Sequence, residues 1–289
     1  MSLLTQSAIS AMKICFYGAG SMAEAIARGL IQEKLIPAER ISMLNRSNQE
    51  RLAELHEQYG VQTIRQGLDS EQYLREADIL FLAMKPKDAA SAIPQLRPLL
   101  HSKQLIISVI AGLSIPAIEK LLGSKQSIVR AMPNTSSTIG LGATGISYSE
   151  EVTPQQQLVT EAIFQSIGIH AVVDESLQGA ITGVSGSGPA YVYHFMEAMQ
   201  QAAEELGLQP DMARELIIQT VLGAAEMLRA TGEAPQELRR KVTSPNGTTQ
   251  AALEEMAEGR FKETIVKAVR RSAERAGELG VAIEGSIQE

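Results

Sequence analysis

Up to Asp174 the apolar residues fall in short runs rich in β-branched side chains, separated by stretches whose apolar positions repeat at helical spacing. The runs Lys13–Tyr17, Ile41–Leu44, Ile79–Ala83, Leu105–Val109 and Ile128–Ala131 predict strands; Met22–Glu33, Asn48–Tyr59, Lys87–Leu100 and Ser114–Leu122 predict the helices between them. This alternation predicts right-handed βαβ units on a mostly parallel sheet. Two further extended runs, Leu141–Ser147 and His170–Asp174, flank a helix at Pro154–Ile167.

Beyond Asp174 strand signals nearly vanish and helical patterns follow at Pro189–Leu206, Pro210–Ala230, Pro235–Val242, Thr249–Glu258 and Lys262–Leu279. Pro189, Pro210 and Pro235 stand where a first helical turn tolerates proline. The run Ala190–Met196 is apolar on nearly every face, which fits a helix buried on all sides or shared between subunits. His194, inside it, reads as a core histidine. The expected organisation is an extension over 1–12, an α/β domain over 13–174 and an all-α domain over 175–289 that completes its core by dimerising.

The length of 289 residues agrees with roughly two domains at about 150 residues each. With 44% hydrophobic and 20% charged residues the chain supports a real core. A net charge of −7 without a basic tract argues against nucleic acid, and 4% aromatics with no Trp argue against stacking platforms. The single cysteine, Cys15, lies in an apolar run, excludes a disulfide framework and reads as a small buried hydrophobe. No stretch approaches the roughly 18 apolar residues of a membrane span. Met1–Met12 lack the Lys or Arg of a secretory signal, so the expectation is a cytoplasmic protein with no membrane partner.

The first strand is followed by Gly18-Ala19-Gly20-Ser21-Met22-Ala23. This G-x-G-x-x-A run stands at a strand-to-helix turn, the context of a dinucleotide fingerprint. Gly18 permits the tight turn, Gly20 lets the backbone approach a pyrophosphate, and the small Ala23 permits close helix–sheet packing. The helix start offers free N–H groups and the positive dipole end to the phosphates. Residues 13–174 thus read as a Rossmann-type domain. At the end of the second strand an NAD enzyme usually carries an acid for the ribose 2′-hydroxyl, but here stand Asn45-Arg46-Ser47. Arg46 can pair a 2′-phosphate through its planar fork, and Asn45 and Ser47 can donate to it. The expected cofactor is NADPH, with NADH possible but weaker.

Two more loops belong at the carboxyl ends of strands, where open α/β sheets bind ligands: Ala83-Met84-Lys85-Pro86 and Ile110-Ala111-Gly112. Lys85 is open to three roles, as catalytic acid, cofactor contact or surface lysine. In the helical half, Ser185-Gly186-Ser187-Gly188-Pro189-Ala190 permits close backbone approach or a helix N-cap at Ser187. The loop Thr243-Ser244-Pro245-Asn246-Gly247-Thr248-Thr249 precedes a helix. The N–H groups of Gly247, Thr248 and Thr249 would cup a small carboxylate, and a threonine hydroxyl could bond a substrate nitrogen.

Together Gly18-Ala-Gly-Ser-Met, Ala83-Met-Lys-Pro, Val129-Arg-Ala-Met-Pro-Asn-Thr, Val184-Ser-Gly-Ser-Gly-Pro-Ala-Tyr and Val242-Thr-Ser-Pro-Asn-Gly-Thr-Thr resemble the pyrroline-5-carboxylate reductases, in order and spacing from about Met12 to Leu279. The resemblance implies the final step of proline synthesis, hydride transfer from NADPH to the C=N carbon of 1-pyrroline-5-carboxylate. It also implies a helical dimerisation domain, a homo-oligomer and an active site between the domains. By the same resemblance Thr249 contacts the ring nitrogen, the backbone at Gly247 and Thr248 holds the carboxylate, Ser244 belongs to the same substrate loop, and Glu175 lies near the substrate. Asn246 replaces a commoner glycine, Ser136 a commoner proline, and Arg240 and Lys241 stand where an acid or amide is more usual. Asn tolerates left-handed backbone geometry, so the turn should survive.

The electrophile expected is the protonated iminium, with Thr249 accepting from its N–H or donating to the product amine. No metal is called for. A β-hydroxyacid dehydrogenase would use a lysine on the interdomain helix, but Gly179–Gln201 contains none. Reduction of another cyclic imine, or a nucleotide-sensing protein on a reductase scaffold, are the remaining alternatives.

Overall fold

A computed structural model describes residues 9–286. The chain divides into two compact units: one runs to Ser187 and takes in the residues from Arg271 on, and the other is Gly188–Arg270. Residues 1–8 of the expected extension lie outside the described residues. Its last residues are packed: Ile9 is fully buried, and Arg40 donates to the Ala11 carbonyl at 2.6 Å.

The first unit is built on eight strands: β1 (Ile14–Tyr17), β2 (Ile41–Asn45), β3 (Gln62–Arg65), β4 (Ile79–Leu82), β5 (Leu105–Ser108), β6 (Ser127–Met132), β7 (Gly142–Tyr148) and β8 (Gly168–Val172). Their order is β3-β2-β1-β4-β5-β6-β7-β8, and only the β6–β7 pair is antiparallel. The central strands β1, β4 and β5 are buried at every position, as expected of strands covered on both faces. Helices α1 (Ser21–Gln32), α2 (Gln49–Tyr59), α3 (Glu71–Glu76), α4 (Pro86–Ala92), α5 (Ile115–Leu122) and α6 (Pro154–Gln165) connect them.

Side-chain alternation along the strands divides the apolar residues into two cores. On one side Phe16 and Phe81 stack with centroids 4.5 Å apart, in a cluster with Ile26 and Leu30 of α1, Leu55 of α2 and Phe164 of α6. On the other, Cys15, Leu80 and Ile106 meet Ile93, Ile118 and Leu121. Burial pushes the Cys15 thiol up to about 12, so it stays protonated and inert, the buried hydrophobe expected.

Two local expectations are corrected. The helix read over Lys87–Leu100 is α4 followed by a 3₁₀ turn at Ile93–Leu96, because Pro94 lacks the N–H an α-helix needs there. The strand β3 was not foreseen; its Gln-Thr-Ile-Arg sequence has no buried position.

After β8, α7 (Gln178–Ile181) runs into a π-helical turn, Thr182–Gly186, which absorbs the Ser185-Gly186 part of the glycine motif. Ser187 lies with its hydroxyl 2.9 Å from that of Ser272. The helices α8 (Gly188–Glu205), α9 (Pro210–Thr231), α10 (Pro235–Lys241), α11 (Thr248–Glu258) and α12 (Phe261–Ser286) follow, and the unit boundary at Arg271 falls within α12. Within Gly188–Arg270, α8 packs on α9, and only Ala213 and Ile217 among the apolar side chains are buried. Val192, Tyr193, Leu216, Leu222 and Met227 are exposed. The apolar helix is therefore not enclosed within this unit. His194 is corrected accordingly: its side chain is 87% exposed and lies 3.2 Å from Glu197.

Candidate active site

Parallel pairing carries the ends of β1, β2, β4 and β5 to one edge, with Tyr17 in register with Leu44 and Leu82, and Leu82 with Ser108. The loops at Gly18–Met22, Asn45–Ser47, Ala83–Pro86 and Ala111–Gly112 leave from that edge, so the expected cofactor residues are brought together.

The two fingerprint glycines are required for different reasons. Gly18 has φ +122°, and a Cβ there would meet the Ala83 carbonyl oxygen at 2.5 Å. Its role is to let the first and fourth strand loops touch. Gly20 has an ordinary φ of −81°, and a Cβ there would meet nothing within 4 Å. The backbone at Gly20 faces open space at the start of α1, a cradle that fits a pyrophosphate. Ala23 is fully buried, as close helix–sheet packing demands. Gly112, φ +80°, is buried against α12: a Cβ would lie 3.2 Å from the Gly280 nitrogen. Its need for glycine arises from the left-handed φ together with this close packing.

Asn45 shapes the second loop. Its Oδ1 accepts from the N–H groups of Ser47 at 3.1 Å and Asn48 at 3.0 Å, leaving its NH₂ to donate outward. Arg46 is 75% exposed, with Nη1 3.7 Å from Asp88 Oδ1. Lys85 is exposed and precedes α4, with Pro86 at its first position. Met84 packs against the core below.

Spacing alone did not reveal Arg51. This α2 side chain donates to the Ala19 carbonyl at 3.4 Å and forms an ion pair with Glu24 in the first turn of α1. Tyr59 donates to the same carboxylate at 2.8 Å. Burial raises the Glu24 carboxyl, but the bonds from Arg51 and Tyr59 outweigh it and hold it below the usual carboxylate range. The cluster neutralises a carboxylate beside a helix start suited to phosphate and ties α2 to the loop. Arg51→Gln is expected to raise the KM for NADPH about three- to tenfold with kcat little changed, and to cost roughly 1–3 kcal/mol of stability. Steady-state kinetics and chemical denaturation check both.

The motif Met132-Pro133-Asn134-Thr135 acquires a structural role. Asn134 donates to the Ser185 carbonyl in the π-turn at 3.0 Å and accepts from Ala143 N–H at 3.3 Å, joining β6, β7 and the glycine motif. Ser136 lies in the adjoining 3₁₀ turn, Thr135–Ile139. Glu175 has its carboxylate engaged: Oε1 accepts from Ile115 N–H at 2.7 Å and from Arg130 Nη1 at 3.0 Å.

In the helical unit, Asn246 adopts φ +57°, so the left-handed turn survives without the commoner glycine, as expected. Its N–H donates to Gln250 Oε1 at 2.9 Å. One expectation is corrected: the Gly247 N–H is committed to the Ser244 carbonyl at 3.1 Å. The first bond within α11 runs from Ala251 N–H to the Gly247 carbonyl, so the amides of Thr248, Thr249 and Gln250 have no acceptor in their own helix. Thr249 is half-buried beside them. The unusual Arg240 and Lys241 are neutralised locally, by Glu237 at 3.0 Å and Glu233 at 2.6 Å. Among the described residues no group of three His, Cys, Asp or Glu could hold a metal, and no helix is long and apolar enough to cross a membrane.

Residues 175–279 match the family model described as pyrroline-5-carboxylate reductase dimerisation, and residues 13–112 match one described as NADP oxidoreductase, coenzyme F420-dependent. Pyrroline-5-carboxylate reductase 2 of Bacillus subtilis is 43% identical over 277 residues, 96% of this chain and 98% of that one. The Arabidopsis thaliana pyrroline-5-carboxylate reductase is 35% identical over 92% of this chain and 95% of its own. A pyrroline-5-carboxylate reductase structure from Coxiella burnetii superposes with a TM-score of 0.84 at 40% identity, covering 93% of this chain and 98% of that one. The Plasmodium falciparum pyrroline carboxylate reductase with NADP bound gives 0.85 at 30%, covering 94% and 99%. With relatives of this kind matching nearly its whole length, the chain belongs to the pyrroline-5-carboxylate reductase family.

Proposed function

We infer that this chain reduces the C=N bond of 1-pyrroline-5-carboxylate to give proline, the last step of proline biosynthesis. The observation that carries the reading is the helix start at Thr248: uncommitted amides beside the Thr249 hydroxyl, behind a turn held open by Asn246. NADPH, when bound, supplies the hydride. The Thr248 and Thr249 amides hold the substrate carboxylate with the help of the α11 dipole, and Ser244 fixes the turn through its carbonyl. Thr249 Oγ1 accepts from the iminium N–H and donates to the amine formed from it. The electrophile is the iminium form of the substrate, and the chain's part is to orient a small ring. Glu175 acts from behind, fixing Arg130 and the start of α5.

The Gly18–Met22 turn holds the pyrophosphate, Asn45, Arg46 and Ser47 the 2′-phosphate, and Ala83–Pro86 with Ala111 and Gly112 the nicotinamide end. Arg46→Asp is expected to raise the KM for NADPH by tenfold or more and to leave that for NADH within about twofold. Equal responses from both cofactors would remove Arg46 from the phosphate site. The activity itself is tested by following NADPH absorbance with pyrroline-5-carboxylate and with its six-membered-ring homologue. Turnover of the first at a clearly higher kcat/KM is the expected result, and a preference for the second reassigns the substrate.

The exposed apolar faces of α8 and α9 and the matched dimerisation family support a dimer or higher homo-oligomer. Light scattering at micromolar concentration should give at least twice the chain mass. A cytoplasmic location agrees with reduced-cofactor chemistry and with the lone buried thiol.

A further inference from the structure

Arg46 is the side chain on which the phosphate preference rests, and its guanidinium is not idle. Nη1 lies 3.7 Å from Asp88 Oδ1, in the first turn of α4. The same charge reaches Tyr17 at the end of β1, where burial raises the phenol and Arg46 partly offsets the rise. Arg46 therefore reaches across the sheet edge toward the β4 loop.

The two partners differ in freedom. Asp88 is 30% exposed, and its backbone is fixed at both ends: its N–H donates to the Lys85 carbonyl at 2.9 Å and its carbonyl accepts from Ser91 Oγ at 3.1 Å. Arg46, at 75% exposure, is the member that can swing away. Its five-donor fork suits a phosphate as well as a carboxylate, and the phosphate carries more charge.

We propose that Asp88 is a specificity-determining residue that acts through Arg46: its carboxylate occupies the guanidinium when no 2′-phosphate is present, so NADPH must displace it and NADH need not. The proposal rests on the assignment of Arg46 to the 2′-phosphate. Asp88 thereby moderates the preference for NADPH and keeps Arg46 near the sheet edge between binding events.

The test is calorimetric titration of NADPH, NADH, adenosine 2′,5′-bisphosphate and AMP into the wild type, Asp88→Asn, Asp88→Glu, Arg46→Gln and the double variant Arg46→Gln/Asp88→Asn. Asp88→Asn should tighten NADPH and the bisphosphate about two- to fivefold, the scale of an exposed ion pair, and leave NADH and AMP unchanged. Asp88→Glu should keep wild-type ratios. In the Arg46→Gln background the Asp88 substitution should have no effect. A shift of all four ligands together, no shift in any, or an undiminished effect without Arg46 overturns the role assigned to Asp88. Arg46→Gln alone separates the two levels. If it weakens the 2′-phosphorylated ligands selectively while Asp88→Asn is silent, only Asp88 falls. If it is unselective, the Arg46 assignment falls and Asp88 with it.

Discussion

Gly20→Val is expected to fold like the wild type and to bind NADPH at least tenfold more weakly, whereas Gly18→Ala is expected to lose both stability and cofactor. At Gly20 the backbone angles suit any residue and the side-chain position is open, so valine costs within about 1 kcal/mol as a poorer helix cap. What valine does obstruct is the approach of a pyrophosphate to the α1 amides. At Gly18 the left-handed φ and the Ala83 carbonyl at 2.5 Å act together, and alanine should cost roughly 2–4 kcal/mol. Thermal denaturation and cofactor titration on both variants read the two effects separately. A Gly20→Val protein with undiminished NADPH affinity would refute the pyrophosphate assignment.

Thr249→Val is expected to lower kcat/KM by tenfold or more, the worth of one well-placed hydrogen bond to a charged group. Valine preserves the shape of threonine and leaves the backbone amides in place, so carboxylate binding should persist and the loss should fall mainly on kcat. Thr249→Ser, which keeps the hydroxyl, should retain most activity. Steady-state kinetics across the pair decide the matter: a valine variant with wild-type constants would remove the hydroxyl from the reaction.

Most of the first unit was legible because its central strands are almost wholly apolar and its helices carry their own stop signals. The runs at Ile79–Ala83 and Leu105–Val109 differ from the observed strands by one residue at an end. Strand β3 escaped because an exposed edge strand of Gln, Thr, Ile and Arg owes its existence to pairing with β2 rather than to burial. The helix expected to stop at Leu279 runs on to Ser286. Gly280 is the place where α12 comes close to Gly112: a Cβ on Gly280 would meet the Gly112 carbonyl oxygen at 2.7 Å. Of the site, the glycine turn and the threonine loop were legible, since their chemistry is local. The Glu24–Arg51–Tyr59 cluster and the Arg46–Asp88 pair were not, because each joins residues from different βα units that only the sheet order brings together. The commitment of the Gly247 amide was hidden for a smaller reason, a turn bond whose presence depends on the Asn246 backbone angle.

The near-absence of buried apolar side chains between Gly188 and Arg270 has a thermodynamic corollary. The self-association inferred for this layer would make unfolding a bimolecular equilibrium, so the melting temperature should climb as the protein is concentrated and sag on dilution. Rate per molecule should then decay slowly after the enzyme is diluted into an assay, at a pace set by the parting of the copies.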